Sequence, residues 1–127
     1  MFEVVNTGIA APRYPISGTV KKGPLVLTSQ IPKDPATGEV IEGDIETQAR
    51  RLFQNLSMAM KGAGGSLRDV MQIIVYLVDR EDGPRMNKVY EEFFTTAPFP
   101  NRATFVVASL MRPGMKIEVT ATAWIGD

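Results

Sequence analysis

Two residues carry most of the chemical potential of this chain. Arg102 follows the proline-rich stretch Ala97-Pro98-Phe99-Pro100 and opens a β-prone run, and Glu118 sits in a second such run close behind it. An arginine at a rim or cleft suits a carboxylate ligand, because its planar fork donates two parallel hydrogen bonds. A glutamate nearby can hold and activate a water. The competing expectation is structural: both charges are solvated, pair with each other, or pair elsewhere. Asn87 could bond a ligand from a helix, or stand exposed on it. Ser29 could line a pocket, or cap backbone at a strand end. Tyr14, between prolines, could face a pocket or anchor its own loop.

No other catalytic chemistry competes strongly. The 127 residues contain no His and no Cys. That excludes a Ser-His-Asp triad, a cysteine nucleophile, a disulfide framework and zinc sites built from imidazole or thiolate. Zinc-dependent base deaminases and nucleases using paired histidines fall with them. Whatever reaction occurs must use Arg, Lys, Asp, Glu, Tyr, Ser, Thr, backbone groups and water. Gly62-Ala63-Gly64-Gly65 follows a helix and opens none, so it reads as a cap and not as a phosphate loop.

Fourteen Lys and Arg balance fourteen Asp and Glu, and 44% of residues are apolar. Zero net charge offers no long-range attraction to nucleic acid or anionic membranes. No apolar run approaches the roughly 20 residues of a membrane span, and the N-terminal residues lack the pattern of a signal peptide. The expectation is a cytoplasmic protein with one domain over residues 1–127.

The elements that must position these residues follow from spacing. Phe2 to Val5 is a short edge strand. Ser17 to Lys22 and Leu25 to Ser29 flank Gly23-Pro24 as a hairpin, and Pro32 to Gly38 is turn chemistry. Asp44 is the expected N-cap of a helix ending at Gly64-Gly65. Its apolar face is Ile45, Ala49, Leu52, Phe53, Leu56, Ala59, Met60 and Ala63, with Arg50, Arg51, Gln54, Asn55 and Lys61 elsewhere on the wheel. Val70 to Val78 reads as a strand covered on both faces. Pro84 fits the first turn of a second helix, in which Met86, Val89, Tyr90, Phe93 and Phe94 share helical spacing. Arg102 to Leu110 and Met115 to Ile125 close the chain as strands. Alternation places Arg102, Thr104 and Val106 on one face, and gives the last strand one polar face, including Glu118, and one apolar face.

The order β-β-α-β-α-β-β implies an α+β fold: a mixed sheet with two helices packed on one face. Two helices leave the other face uncovered, although several strands are apolar on both sides. A sheet of that kind commonly buries its second face against another subunit, so a homo-oligomer is expected.

Several stretches resemble the Rid (YjgF/L-PSP) family. They are Thr28-Ser29-Gln30-Ile31-Pro32 with Pro35-Ala36-Thr37-Gly38-Glu39, then Asn87-Lys88-Val89-Tyr90-Glu91-Glu92-Phe93-Phe94. Phe99-Pro100-Asn101-Arg102-Ala103-Thr104 and Lys116-Ile117-Glu118-Val119 complete the set, and the resemblance spans about Gly8 to Ile125. It implies a chorismate-mutase-like α+β fold and a homotrimer with intersubunit clefts. It also implies cofactor-independent hydrolysis of reactive enamines and imines, such as 2-aminoacrylate, to 2-keto acids and ammonia.

By position, the resemblance makes Arg102 the carboxylate clamp and Glu118 the water-positioning residue, with Asn87 and Ser29 lining the cleft. Three departures stand out. Ser29 is followed directly by Gln30, without the usual intervening glycine. Ile16 occupies the place of a frequent cleft tyrosine, for which Tyr14 is a candidate substitute. Thr104 stands where cysteine is common. These changes leave room for a pathway-specific deaminase of the 2-aminomuconate type, or for a binder of small carboxylates without turnover. The family's old ribonuclease label is a further alternative, disfavoured by zero net charge and the lack of His.

Overall fold

The computed structural model describes residues 1–126. Among them, six strands form one sheet: β1 (Glu3–Val4), β2 (Thr19–Lys22), β3 (Leu25–Gln30), β4 (Val70–Leu77), β5 (Asn101–Val106) and β6 (Ile117–Trp124). Two α-helices join them, α1 (Ile45–Gly62) and α2 (Gly83–Phe93). The spatial order is β1-β2-β3-β6-β4-β5. Only β4 and β5 run parallel; every other neighbour is antiparallel. The result is the α+β architecture expected from the sequence, with both helices on one sheet face.

Helix α1 forms where its pattern dictates. Asp44 Oδ1 accepts from Thr47 N at 2.9 Å, and Gly64 takes φ +96° just past the helix, a conformation glycine adopts without Cβ strain. All eight residues of the expected apolar face are buried. The placement of Asn55 is a correction. It is fully buried, and its Nδ2 donates to the carbonyls of Ile31 (3.3 Å) and Lys33 (2.9 Å). Gln48, also buried, donates to the carbonyls of Ile41 and Gly114 and accepts from Lys116 N. A buried amide persists only where its donors and acceptors are met, and these two tie α1 to the chain after β3 and to the entry of β6.

Other boundaries also moved. The strand expected over Arg102 to Leu110 stops at Val106, because its neighbour β4 ends at Leu77; Val107 N makes a last bond to Leu77 O at 2.8 Å. The strand expected over Met115 to Ile125 is β6, with Met115 and Lys116 held outside it by the Gln48 contact. Nor is β4 covered on both faces within this chain. Ile73, Val75 and Leu77 are buried under the helices, whereas Gln72 is exposed and Ile74 and Tyr76 are only partly covered.

The uncovered face is mixed, with large apolar side chains beside the polar side of β6 that carries Glu118, Thr120 and Thr122. Leu25, Leu27, Phe105 and Trp124 point to it by register, and Trp124 and Phe105 remain 46% and 51% exposed. On the opposite face Val26, Ile73, Val75, Val119, Ala121 and Ala123 pack with α1 around Phe53, the largest fully buried side chain. Phe53 meets the ring of Tyr90 edge-on at 5.7 Å, which couples the core to α2.

Candidate functional site

The core contact sets one wall of a cleft. Tyr90 rests on Phe53 and stacks on Phe94 at 4.5 Å between centroids. Arg102, on the sheet-edge strand β5, lays its guanidinium over the Tyr90 ring with Cζ 4.7 Å from the centroid, and its Nη2 donates to Asn87 Oδ1 at 2.7 Å. Asn87 and Tyr90 are one turn apart on α2, so a single helix face holds the arginine twice. Burial pushes the Tyr90 hydroxyl pKa up, partly offset by Arg102, so the ring stays neutral under its cation. Among the described residues no carboxylate lies within ion-pair distance of Arg102. The guanidinium is therefore oriented by neutral groups and keeps N–H donors for an anion.

Thr104 follows Arg102 on the same face of β5, and both line a cleft of about 500 Å³ with Asn87, Arg80, Gly83 and Met86. Three of the residues named from the sequence thus come together. The bland reading of Asn87 as an exposed helical side chain gives way to a partly buried one bonded to Arg102.

Ser29 and Ile16 lie elsewhere. They share a smaller hollow of about 250 Å³ with Gly18, Gln30 and Lys33. Ser29 lies within β3, not at its end, and its N–H is tied to Gly18 O at 3.0 Å. Beneath it, Thr28 Oγ1 gives its one proton to Gly18 O and accepts from Gln30 Nε2, so Thr19 must donate to Thr28 at 2.8 Å. Lys33 Nζ donates to Ala10 O, and burial, helped by Arg112, lowers its pKa. Tyr14 is exposed and does not line this hollow, whereas Ile16 does.

Glu118 stands on the uncovered face. It opposes Tyr76, whose ring stacks on Phe105, and burial there raises its carboxyl pKa. The register separates it from Arg102. Arg102 pairs with Ile73, which pairs with Ala121, so it lies on the helix side of the sheet. Two strand spacings across and three residues along put the Cα atoms about 14 Å apart, on opposite faces. One chain does not bring the two together, nor do they pair structurally. Ser29 opposes Thr120, so it and Glu118 share the uncovered face as diagonal neighbours, roughly 7–8 Å apart. The candidates fall into two groups: Arg102, Asn87 and Thr104 at one sheet edge, and Glu118 and Ser29, with Ile16 beside Ser29, on the other side.

Sequence reasoning missed Tyr90 as a site residue, reading it only as part of the apolar face of α2. Its spacing of three from Asn87 was the available signal. Arg80 was missed entirely.

The family model described as Endoribonuclease L-PSP matches residues 8–125. The chain belongs to the Rid (L-PSP) family. It is 40% identical over 126 residues to a RutC family protein of Pyrococcus horikoshii, covering 98% of each chain. It is also 40% identical over 107 residues to the 2-iminobutanoate/2-iminopropanoate deaminase of Salmonella typhimurium, covering 82% of each. The crystal structure of E. coli TdcF with bound serine superposes with a TM-score of 0.88 at 30% identity, covering 98% of this chain and 99% of that one. The mixed six-stranded sheet with two helices is thus the Rid fold. No helix among the described residues is long and apolar enough to cross a membrane.

Proposed function

We propose that this protein hydrolyses reactive enamines and imines of the 2-aminoacrylate type to 2-keto acids and ammonia, in clefts completed between subunits of a homotrimer. The observation that carries the reading is Arg102: a partly buried guanidinium at a cleft, braced by Asn87 and Tyr90, with no carboxylate partner among the described residues. Such a group is preorganised for a ligand carboxylate. A Rid relative named as an imine deaminase and another that binds serine, which carries an α-carboxylate, support the same assignment.

In this reading Arg102 takes the substrate carboxylate, with Asn87 as its positioning residue and Thr104 on the cleft wall. The enamine gains a proton at its terminal carbon and becomes an iminium. Water, held by Glu118, adds to the iminium carbon; transfer of a proton to nitrogen and collapse of the tetrahedral adduct release ammonia and leave the keto acid. Holding the iminium beside an ordered water supplies much of the required acceleration, because its carbon is already electrophilic. No residue here requires a metal or cofactor for these steps.

A second copy of the chain brings the two groups of residues to one cleft. Laid against the uncovered sheet face, it would bury Leu27 and Trp124 and set one chain's Glu118, Ser29 and Ile16 opposite another's Arg102, with Tyr14 at the rim. This chemistry belongs in the cytoplasm, beside enzymes that release enamines.

The test couples the purified protein to a dehydratase that generates 2-aminoacrylate and follows keto-acid release. The expected result is acceleration over buffer that Arg102→Ala abolishes. Equal rates with wild type, Arg102→Ala and no protein would overturn the reading.

A further inference from the structure

Helix α2, which carries both groups that hold Arg102, is tied to α1 near each of its ends. Its own start is weakly fixed: Asp82, at the N-cap, makes no side-chain cap bond, and Pro84 in the first turn has no N–H to give. The first turn is held from outside instead. Arg85 Nη2 lies 2.6 Å from Glu46 Oε1 and 3.4 Å from Asp44 Oδ2, in the first turn and N-cap of α1. Glu46 Oε1 is shielded from water, and Arg85 is the cation beside it. A cation in the first turn opposes the dipole of its own helix, so the local chemistry of α2 does not call for an arginine there. At the other end Arg50 of α1 donates twice to Glu92, from Nε at 3.1 Å and Nη2 at 2.7 Å. Arg85 and Glu92 are two helical turns apart and share one side of α2. Asn87, two residues beyond Arg85, lies roughly 200° round the helix and bonds Arg102 on β5.

We infer that Arg85 with Glu46, and Arg50 with Glu92, are positioning residues for the carboxylate site: these ion pairs fix one side of α2 against α1, and so set where Asn87 and Tyr90 hold Arg102. Partly exposed pairs of this kind add little to stability. Their effect on ligand binding is the larger one, because a small displacement of a preorganised clamp weakens its grip. This inference rests on the deaminase reading above and names residues that act on that site through Asn87.

The experiment measures KM and kcat on 2-aminoacrylate generated by a dehydratase, Kd for pyruvate by calorimetry, and Tm. Arg85→Ala should raise KM and Kd about fivefold, leave kcat within about twofold, and move Tm by less than about 3 °C. Glu92→Gln, which weakens the other tie, should act in the same direction. Arg85→Lys keeps the charge beside Glu46 and should recover most of the loss. In an Asn87→Ala background, Arg85→Ala should raise KM and Kd no further, because the group it acts through is gone. Unchanged KM and Kd in Arg85→Ala, or equal effects with and without Asn87, would overturn the positioning role while leaving the deaminase intact. A fall in kcat and Tm together, with no recovery in Arg85→Lys, would make the ion pairs merely structural and overturn it too. Failure of wild type either to hydrolyse 2-aminoacrylate or to bind pyruvate would remove the deaminase reading itself, and this inference with it.

Discussion

Asn87 offers the sharpest test of how the arginine is held. Its Oδ1 accepts from Arg102 Nη2 at 2.7 Å, a charge-assisted bond in a partly buried site. Such bonds contribute about 1.5–3 kcal/mol, and the Tyr90 ring adds roughly 0.5–1 kcal/mol. Asn87→Ala removes the larger restraint and returns part of the ~2 kcal/mol of arginine rotamer entropy. Substrate binding must then order the side chain itself, so kcat/KM should fall about tenfold, equivalent to ~1.4 kcal/mol, chiefly through KM. Asn87→Asp is the discriminating variant. It keeps the size and the acceptor oxygen, so a purely structural role would tolerate it. It also gives Arg102 a carboxylate of its own, which competes with the substrate; at effective dielectric values near 20, such a pair is worth a few kcal/mol. The expected loss is about a hundredfold, greater than for Ala. The assay is initial-rate kinetics of keto-acid release, with thermal shift by added keto acids as a binding control. Asn87→Asp retaining more activity than Asn87→Ala would refute the reasoning.

Three further outcomes follow from the same contacts. Gln48→Met leaves Lys116 N, Ile41 O and Gly114 O without their partner, and should cost about 3 kcal/mol in a urea titration; a loss under about 0.5 kcal/mol would show that water replaces the amide readily. Burial raises the Glu118 pKa, so its charged form destabilises the fold: the contribution is neutral below the ordinary carboxyl range and becomes unfavourable as pH rises through the raised value. Glu118→Gln should accordingly raise Tm at neutral pH, match wild type near pH ~4, and lose the proposed deaminase activity; a constant Tm difference across pH would contradict this. Leu27→Asp puts a charge in the centre of the uncovered face and should convert the proposed trimer to monomers in sedimentation velocity, with loss of the proposed activity.

The sequence made local structure legible where one pattern decided it. Asp44, the apolar spacing of α1 and Gly64 sufficed for that helix, and alternation sorted the faces of β5 and β6 correctly. Pairing was another matter. That β4 lies between β5 and β6, and so sets Arg102 and Glu118 on opposite sides, depends on contacts between residues far apart in the chain. Alternation describes faces within a strand and says nothing of how two strands are registered. Asn55 escaped for a related reason: a polar side chain is buried only when distant carbonyls await it, here those of Ile31 and Lys33. Arg80 sat in an acidic turn with no periodicity to mark it, and only the tertiary fold brings it to the cleft.

The position of β6 has a consequence for how the molecule is made. The last strand in sequence lies in the middle of the sheet, between β3 and β4. Until it emerges from the ribosome, β1-β2-β3 and β4-β5 are separate pieces, each with a bare edge where β6 belongs. Closing the sheet requires contacts that span most of the chain, which slows folding and prolongs exposure of those edges. Trimming this strand would therefore do more than fray an end: it would divide the sheet at its centre. Nascent chains should remain sensitive to protease until β6 is free to insert.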